Sequence, residues 1–205
     1  MVTQGALSMP LVKRRHAAQR HAATALDAAS PADRRAAALA MAGEPAATGA
    51  LLDAIVGEPA HEVRAAMMTA LISIGTEEAA AGLAALLASK DIALRNDAIE
   101  ALRRMGDVVA GPLAAILAEP DPGRRIFAIT ALEGHRGAWA RALLRTVLAE
   151  DEDVNVGLAA VEALSLLGEA DDVPALHAFA ERFAHEPAAA FVVSLAAAQA
   201  SDGLS

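Results

Sequence analysis

A period near 30 residues runs through the chain and decides most of what it can fold into. "VRAAMMTALISIG" (63–75) aligns with "LRNDAIEALRRMG" (94–106), placing Arg64 on Arg95, Ala70-Leu71 on Ala101-Leu102 and Gly75 on Gly106. Upstream, "RRAAALAMAG" supplies Arg34 and Ala40-Met41; downstream, "RIFAITALEG" supplies Arg125 and Ala131-Leu132. A fifth copy, "GLAAVEALSLLG", has Gly157 at the arginine place, then Ala163-Leu164 and Gly168. A partial sixth, "AAFVVSLAAAQ", puts Ser194-Leu195 at the Ala-Leu place. Successive arginine positions are 30, 31, 30 and 32 residues apart. Self-similarity at such a period is the mark of a repeat array.

Each copy reads as two helices. In the first, Leu94, Ala98, Ala101-Leu102 and Met105 recur at helical spacing. Asp91, Asp121 and Asp153 stand four residues before the arginine place, with Ser30 in the first copy. They read as N-caps, and Pro31 and Pro122 as first-turn prolines. The glycine after the first helix reads as a left-handed C-terminal cap. The second helix carries leucines such as Leu83, Leu86-Leu87, then Leu113, Ile116-Leu117, then Leu143-Leu144, Val147-Leu148. One such pair cannot bury its apolar stripe alone, whereas stacked pairs can. Alanine and leucine dominate and aromatics are 2 %, which favours helix over strand. The expectation is an all-α, right-handed α-solenoid of about five to six helix pairs with an N-terminal capping helix. The expected divisions are a flexible 1–9, a basic capping helix at 10–28, an array over 29–200 and a tail at 201–205. Within the array the repeats fall at 30–59, 60–90, 91–120, 121–151, 152–184 and, in part, 185–200.

The pattern V-R-x-x-A-x-x-A-L-x-x-x-G followed by a leucine-rich helix resembles HEAT repeats, in the short bacterial form also found in phycobilin lyases. That resemblance implies a scaffold fold more than an activity. It further implies a ladder in which turn Asp and helix Arg of successive repeats pair, a role that Asp91, Asp121, Arg64, Arg95 and Arg125 fit. Gly157 interrupts the ladder, at a helix cost of about 1 kcal/mol relative to Ala. It marks a local hinge or a point of close contact.

Composition excludes several functions. There is no cysteine, hence no disulfide and no thiolate metal site. Lys13, Arg14, Arg15 and Arg20 precede the first acid, Asp27, and the rest sets 13 basic residues against 26 acidic ones. Such a body is a poor partner for nucleic acid or anionic membranes. With no signal-like or membrane-length apolar run, a cytoplasmic protein is expected. The helix at 10–28 reads as a solvated cap, or as a docking helix whose Lys13, Arg14 and Arg20 meet an acidic partner or another copy of the chain.

Three family activities can be weighed on the residues. Deoxyhypusine hydroxylase uses repeated His-Glu pairs to hold iron; here His61-Glu62 and His185-Glu186 lie at helix entrances four repeats apart, and read as exposed turn residues. HEAT-like DNA glycosylases need a basic, aromatic groove, whereas this chain has one Trp and no Tyr. Bilin lyases pass a tetrapyrrole to a carrier cysteine, and no residue set here marks a bilin site. "EDEDVN" (150–155) lacks the calcium-loop pattern and reads as a capping turn.

The second helices carry the best functional signal. Across "AATGALLDAIVG", "AAAGLAALLAS" and "VVAGPLAAILA" only Asp53 is charged; the next two bear Arg141, Arg145, His177, Glu181 and Arg182. An apolar inner surface with a charged end suits a partner helix or peptide, although alanine filling idle positions gives the same pattern. Candidate contacts are Ala85, Ala114, Trp139, Arg141, Arg145, His177 and Arg182. Trp139 closes the odd turn "EGHRGAW", where it is expected to cover the core with His135 and Arg136 in solvent. The expected function is a non-enzymatic adaptor that binds another protein, with no cofactor, metal or catalytic set; a homo-oligomer is compatible. The alternative is a lyase-like or chaperone-like protein acting on the prosthetic group of a carrier protein.

Overall fold

The computed structural model describes residues 24–167 and 170–202. The expected basic helix, with Lys13, Arg14 and Arg20, lies outside the described residues apart from its end, where residues 24–26 are helical. Beyond it the described residues form α1 (Pro31–Ala40), α2 (Thr48–Gly57), α3 (His61–Ile74), α4 (Glu77–Ala85), α5 (Ile92–Arg104) and α6 (Ala110–Leu117). They continue as α7 (Pro122–Leu132), α8 (Ala138–Glu150), α9 (Val154–Leu167), α10 (Val173–Arg182) and α11 (Pro187–Asp202). Odd-numbered helices are the first helices of the repeats and even-numbered ones the second. α11 runs past the expected end of the array at residue 200.

The caps fall where the sequence places them. Ser30 accepts from Asp33 N, Asp91 from Ala93 N and Leu94 N, and Asp121 from Gly123 N. Asp153 accepts from Asn155 N at 2.8 Å. Pro31 and Pro122 open their helices, where a missing N–H costs nothing. The glycines divide. Gly75 ends α3 at φ 60°, left-handed as expected, and Gly43 has φ 79°. Gly106 is extended at φ −74° and leads into the turn Asp107–Val109 instead of capping α5.

The chain divides into two compact units, residues 1–82 and 83–205. In the first, α3 packs against α1 and α2, burying Ala38, Leu51, Ile55, Met67 and Leu71. In the second, first helices pack on first helices, α5 on α7, α7 on α9 and α9 on α11. Second helices pack on second helices, α6 on α8 and α8 on α10. Two layers result, with Leu102, Leu113, Ile129, Leu132, Leu144, Leu164 and Phe179 buried between them. Helix pairs packed this way are the arrangement of an α-solenoid. The Ala-Leu pairs at 70–71, 101–102, 131–132 and 163–164 are all buried. The sixth copy sits two residues later than its alignment: Ala189, Val193 and Ala196 are buried as Leu94, Ala98 and Ala101 are, while Leu195 is 54 % exposed.

Candidate functional site

The turns between repeats are tied by arginine. Arg34 donates from Nε and Nη2 to both oxygens of Glu58 at 2.7 and 2.8 Å, and from Nη1 to the carbonyls of Ala28 and Ala29. Arg125 repeats this geometry on Asp151, at 2.7 and 2.9 Å, and on the carbonyls of Glu119 and Pro120. Arg95 donates to Ser89 O, six residues back like its counterparts, and its guanidinium lies 4.6 Å from the Phe127 ring centroid. The Arg34 and Arg125 clamps thus join the turn before their helix to the turn one repeat on, whereas Arg95 reaches the Phe127 ring on α7. The carboxylate that Arg125 takes is Asp151, two residues ahead of the N-cap, whereas Asp121 caps its own helix. Glu58 and Asp151 also accept from the backbone N–H two residues on, at Ala60 and Asp153. The two-bond pair with Arg34 holds the Glu58 carboxyl below the usual glutamate range, and the same pair raises Arg34.

The fifth repeat replaces the clamp. Gly157 is buried in α9, and a Cβ there would meet Phe179 Cε2 at 2.1 Å. Of the two readings of Gly157, close contact is the one seen. From α10, Arg182 reaches back to the carbonyls of Ala149 and Asp151. Asp151 O lies six residues before Gly157, the place a helix arginine holds in other repeats. Arg182 therefore does in this repeat what residue 157 cannot.

Two further charges of the last second helices, Arg141 and Arg145, turn to a buried partner. Asp172 is 1 % exposed; Arg145 Nε donates to its Oδ1 at 2.5 Å, and Arg141 Nε lies 3.9 Å from Oδ2. Arg141 and Arg145, offered by the sequence as partner contacts, thus surround a buried carboxylate. His177 is exposed on α10. Ala85 is exposed at the end of α4.

The turn "EGHRGAW" differs from expectation. Arg136 is exposed, but His135 is 7 % exposed and its Nε2 is 3.1 Å from Leu102 O. The period argument treats each turn alone, whereas this acceptor comes from the preceding repeat. Burial pushes the imidazole below its ordinary value, against the opposing pull of the Leu102 carbonyl. Half-buried Trp139 lies 5.1 Å from the His135 ring, and its Nε1 donates to Asp107 Oδ1 at 2.8 Å. Arg103 and Glu133 approach to 3.4 Å beside them. Burial raises the Glu133 carboxyl despite Arg103. This turn is a repeat-to-repeat joint.

An open cleft of about 400 Å³ lies between α6 and α8. Ala114, Leu117, Ala118, Leu143 and Val147 floor it, and Glu119, Glu150, Asp151 and Glu152 edge it. Ala114 is the one candidate partner contact of the sequence in this lining, beside the ladder residue Arg125. The leucine pattern of the second helices announced the floor; the edge comes from the turn read only as a cap. His61 is exposed at the start of α3, and His185 is exposed 3.9 Å from Glu186. Among the described residues no three His, Cys, Asp or Glu groups could hold a metal. No described helix is long and apolar enough to cross a membrane.

Helix pairs in two layers, joined turn to turn by arginine clamps, define an α-solenoid repeat protein. The chain belongs to the HEAT-repeat family, whose profile matches residues 20–103 and 109–200. No curated protein matches it by sequence. Among solved structures, human deoxyhypusine hydroxylase in complex with glycerol is similar at 18 % identity and a TM-score of 0.48, over 95 % of this chain and 92 % of the other. An engineered protein is similar at 16 % identity and a TM-score of 0.44, over 91 % and 97 %. The complex of CpcE and CpcF of phycocyanin lyase from Nostoc is similar at 19 % identity and a TM-score of 0.37, over 89 % and 94 %.

Proposed function

We propose that this HEAT-repeat scaffold is a non-enzymatic adaptor that seats a segment of another protein between α6 and α8. The supporting observation is the cleft itself: two successive second helices leave apolar side chains on a shared open floor. Open apolar concavities of this size suit one or two side chains of a bound segment. The charged groups Arg125 and Asp151 in the lining hold each other, so they serve the fold.

A photo-crosslinking residue at Thr146, in the lining, is the test. Exposed Glu100, on first helix α5, is the control position. In the native cell, position 146 labels one protein that position 100 does not. Equal labelling from both positions, or none from 146, overturns the adaptor reading. A coloured prosthetic group that co-purifies would instead favour the lyase-like alternative.

A further inference from the structure

The lining of the α6–α8 cleft is unequal from end to end. Apart from Leu143, near the middle of α8, the floor residues come from the C-terminal halves of the two helices and the C-cap of α6, and the acidic edge follows directly after them. Two helix C-termini therefore bring the negative ends of their dipoles to one place. Neither helix has a basic residue in its last turn to offset this.

The chain's own cations have already gone there. Arg125 takes the carbonyls after α6, and Arg182 takes those at the end of α8. Arg124 pairs with Glu119, and Arg125 with Asp151. After these pairings Glu150 and Glu152 are exposed, with no cation paired to either among the described residues. Glu150 is also the last residue of α8, the wrong end of a helix for a carboxylate. The free protein thus carries uncompensated negative charge beside an apolar floor.

We infer that this cleft takes a cationic amphipathic segment of a partner protein. An apolar side chain of the segment lies over Ala114 and Leu143, and its arginine or lysine side chains meet Glu150 and Glu152. The inference rests on the reading of the cleft as a partner site and adds the chemistry of the partner. Charge complementarity selects this occupant: an acidic segment would be repelled, and a neutral one would leave the two carboxylates without a cation.

The experiment uses a labelled peptide of leucine, alanine and arginine, and a counterpart with glutamine for arginine. Binding to the full chain is read by fluorescence anisotropy. The arginine peptide binds, and Glu150→Gln with Glu152→Gln weakens it about tenfold. These variants touch exposed side chains outside the caps, so folding is retained. Ala114→Trp fills the floor and abolishes binding. Glu77→Gln with Glu78→Gln, exposed acids on α4, leaves it unchanged.

Equal binding of both peptides, each blocked by Ala114→Trp, overturns the cationic partner and leaves the cleft reading standing. Equal binding of the arginine peptide by every variant means diffuse attraction to an acidic surface, and overturns the inference. So does displacement by free spermine at the peptide's own concentration, which would mark a small-polycation site. If neither peptide binds, the inference fails, while labelling at position 146 judges the adaptor reading separately.

Discussion

Phe179 fills the space that a side chain on residue 157 would need, with Cε2 2.1 Å from the Cβ position of Gly157. The ring is 1 % exposed and lies 4.9 Å from the Phe183 ring, so it has no free volume to enter. Gly157→Ala gains helix propensity of about 1 kcal/mol. Overpacking costs about 1–3 kcal/mol and prevails. Chemical denaturation should show net destabilisation in the wild-type background, and none in a Phe179→Leu background. Simple additivity of the two substitutions would contradict the contact.

Gly134 is a stricter case. A Cβ there would stand 2.7 Å from Arg103 O, a backbone atom that cannot rotate away. Gly134→Ala should cost about 3 kcal/mol. Gly49 has nothing within 4 Å, and Gly49→Ala should stabilise by about 0.5–1 kcal/mol. The two midpoints should move in opposite directions; a matched shift would argue against the Arg103 approach.

His135 links stability to pH. Its folded-state value lies below the unfolded one, chiefly through burial. Above the unfolded value both states are neutral and nothing is lost. As pH falls below about 6.5, the unfolded chain takes up the proton first and stability declines. Glu133 has the opposite sign, because burial raises it, so protonation on acidification favours the fold. Comparing wild type with His135→Gln between about pH 7.5 and pH 5.5 isolates the imidazole. The variant should have the shallower slope. Trp139 is the sole tryptophan and sits 5.1 Å from that ring. Its emission should report the same titration.

Arg182 holds the end of α8 and the turn after it. Arg182→Met should cost about 1 kcal/mol, because the head group is exposed and water can replace it. The diagnostic effect is local: amide exchange should quicken around residues 149–153 and remain unchanged in α5. Uniform acceleration through α5–α11 would mean that Arg182 supports the unit as a whole.

The helix pairs were legible because burial follows the period: the Ala-Leu positions and N-cap residues repeat what one turn of helix requires. What crosses from one repeat to the next was harder to see. The pairing of Arg125 with Asp151 ties the first helix of one copy to the turn that leads into the next, and aligning copies with one another does not bring the two ends of a copy together. His135 looked like a solvent residue in a polar turn because its acceptor, Leu102 O, is a backbone atom with no side-chain signature. Arg141 and Arg145 looked like surface charge because the burial of Asp172 between them leaves no periodic trace. In the candidate cleft, Ala114 and the leucines were readable; the surplus of Glu150 and Glu152 emerged only once the other acids had been matched to their partners.

The stand-in of Arg182 for the missing helix arginine changes what counts as an exchangeable part. Residues 157, 179 and 182 form a linked set: a small residue admits a ring, and a guanidinium arriving from the other helix closes the turn. Grafting α9 alone into a regular HEAT array would bring the gap without its filling. Grafting α10 alone would bring the ring without its space. The fifth repeat is transferable only as a whole, and recombination between copies in this chain is constrained at that junction.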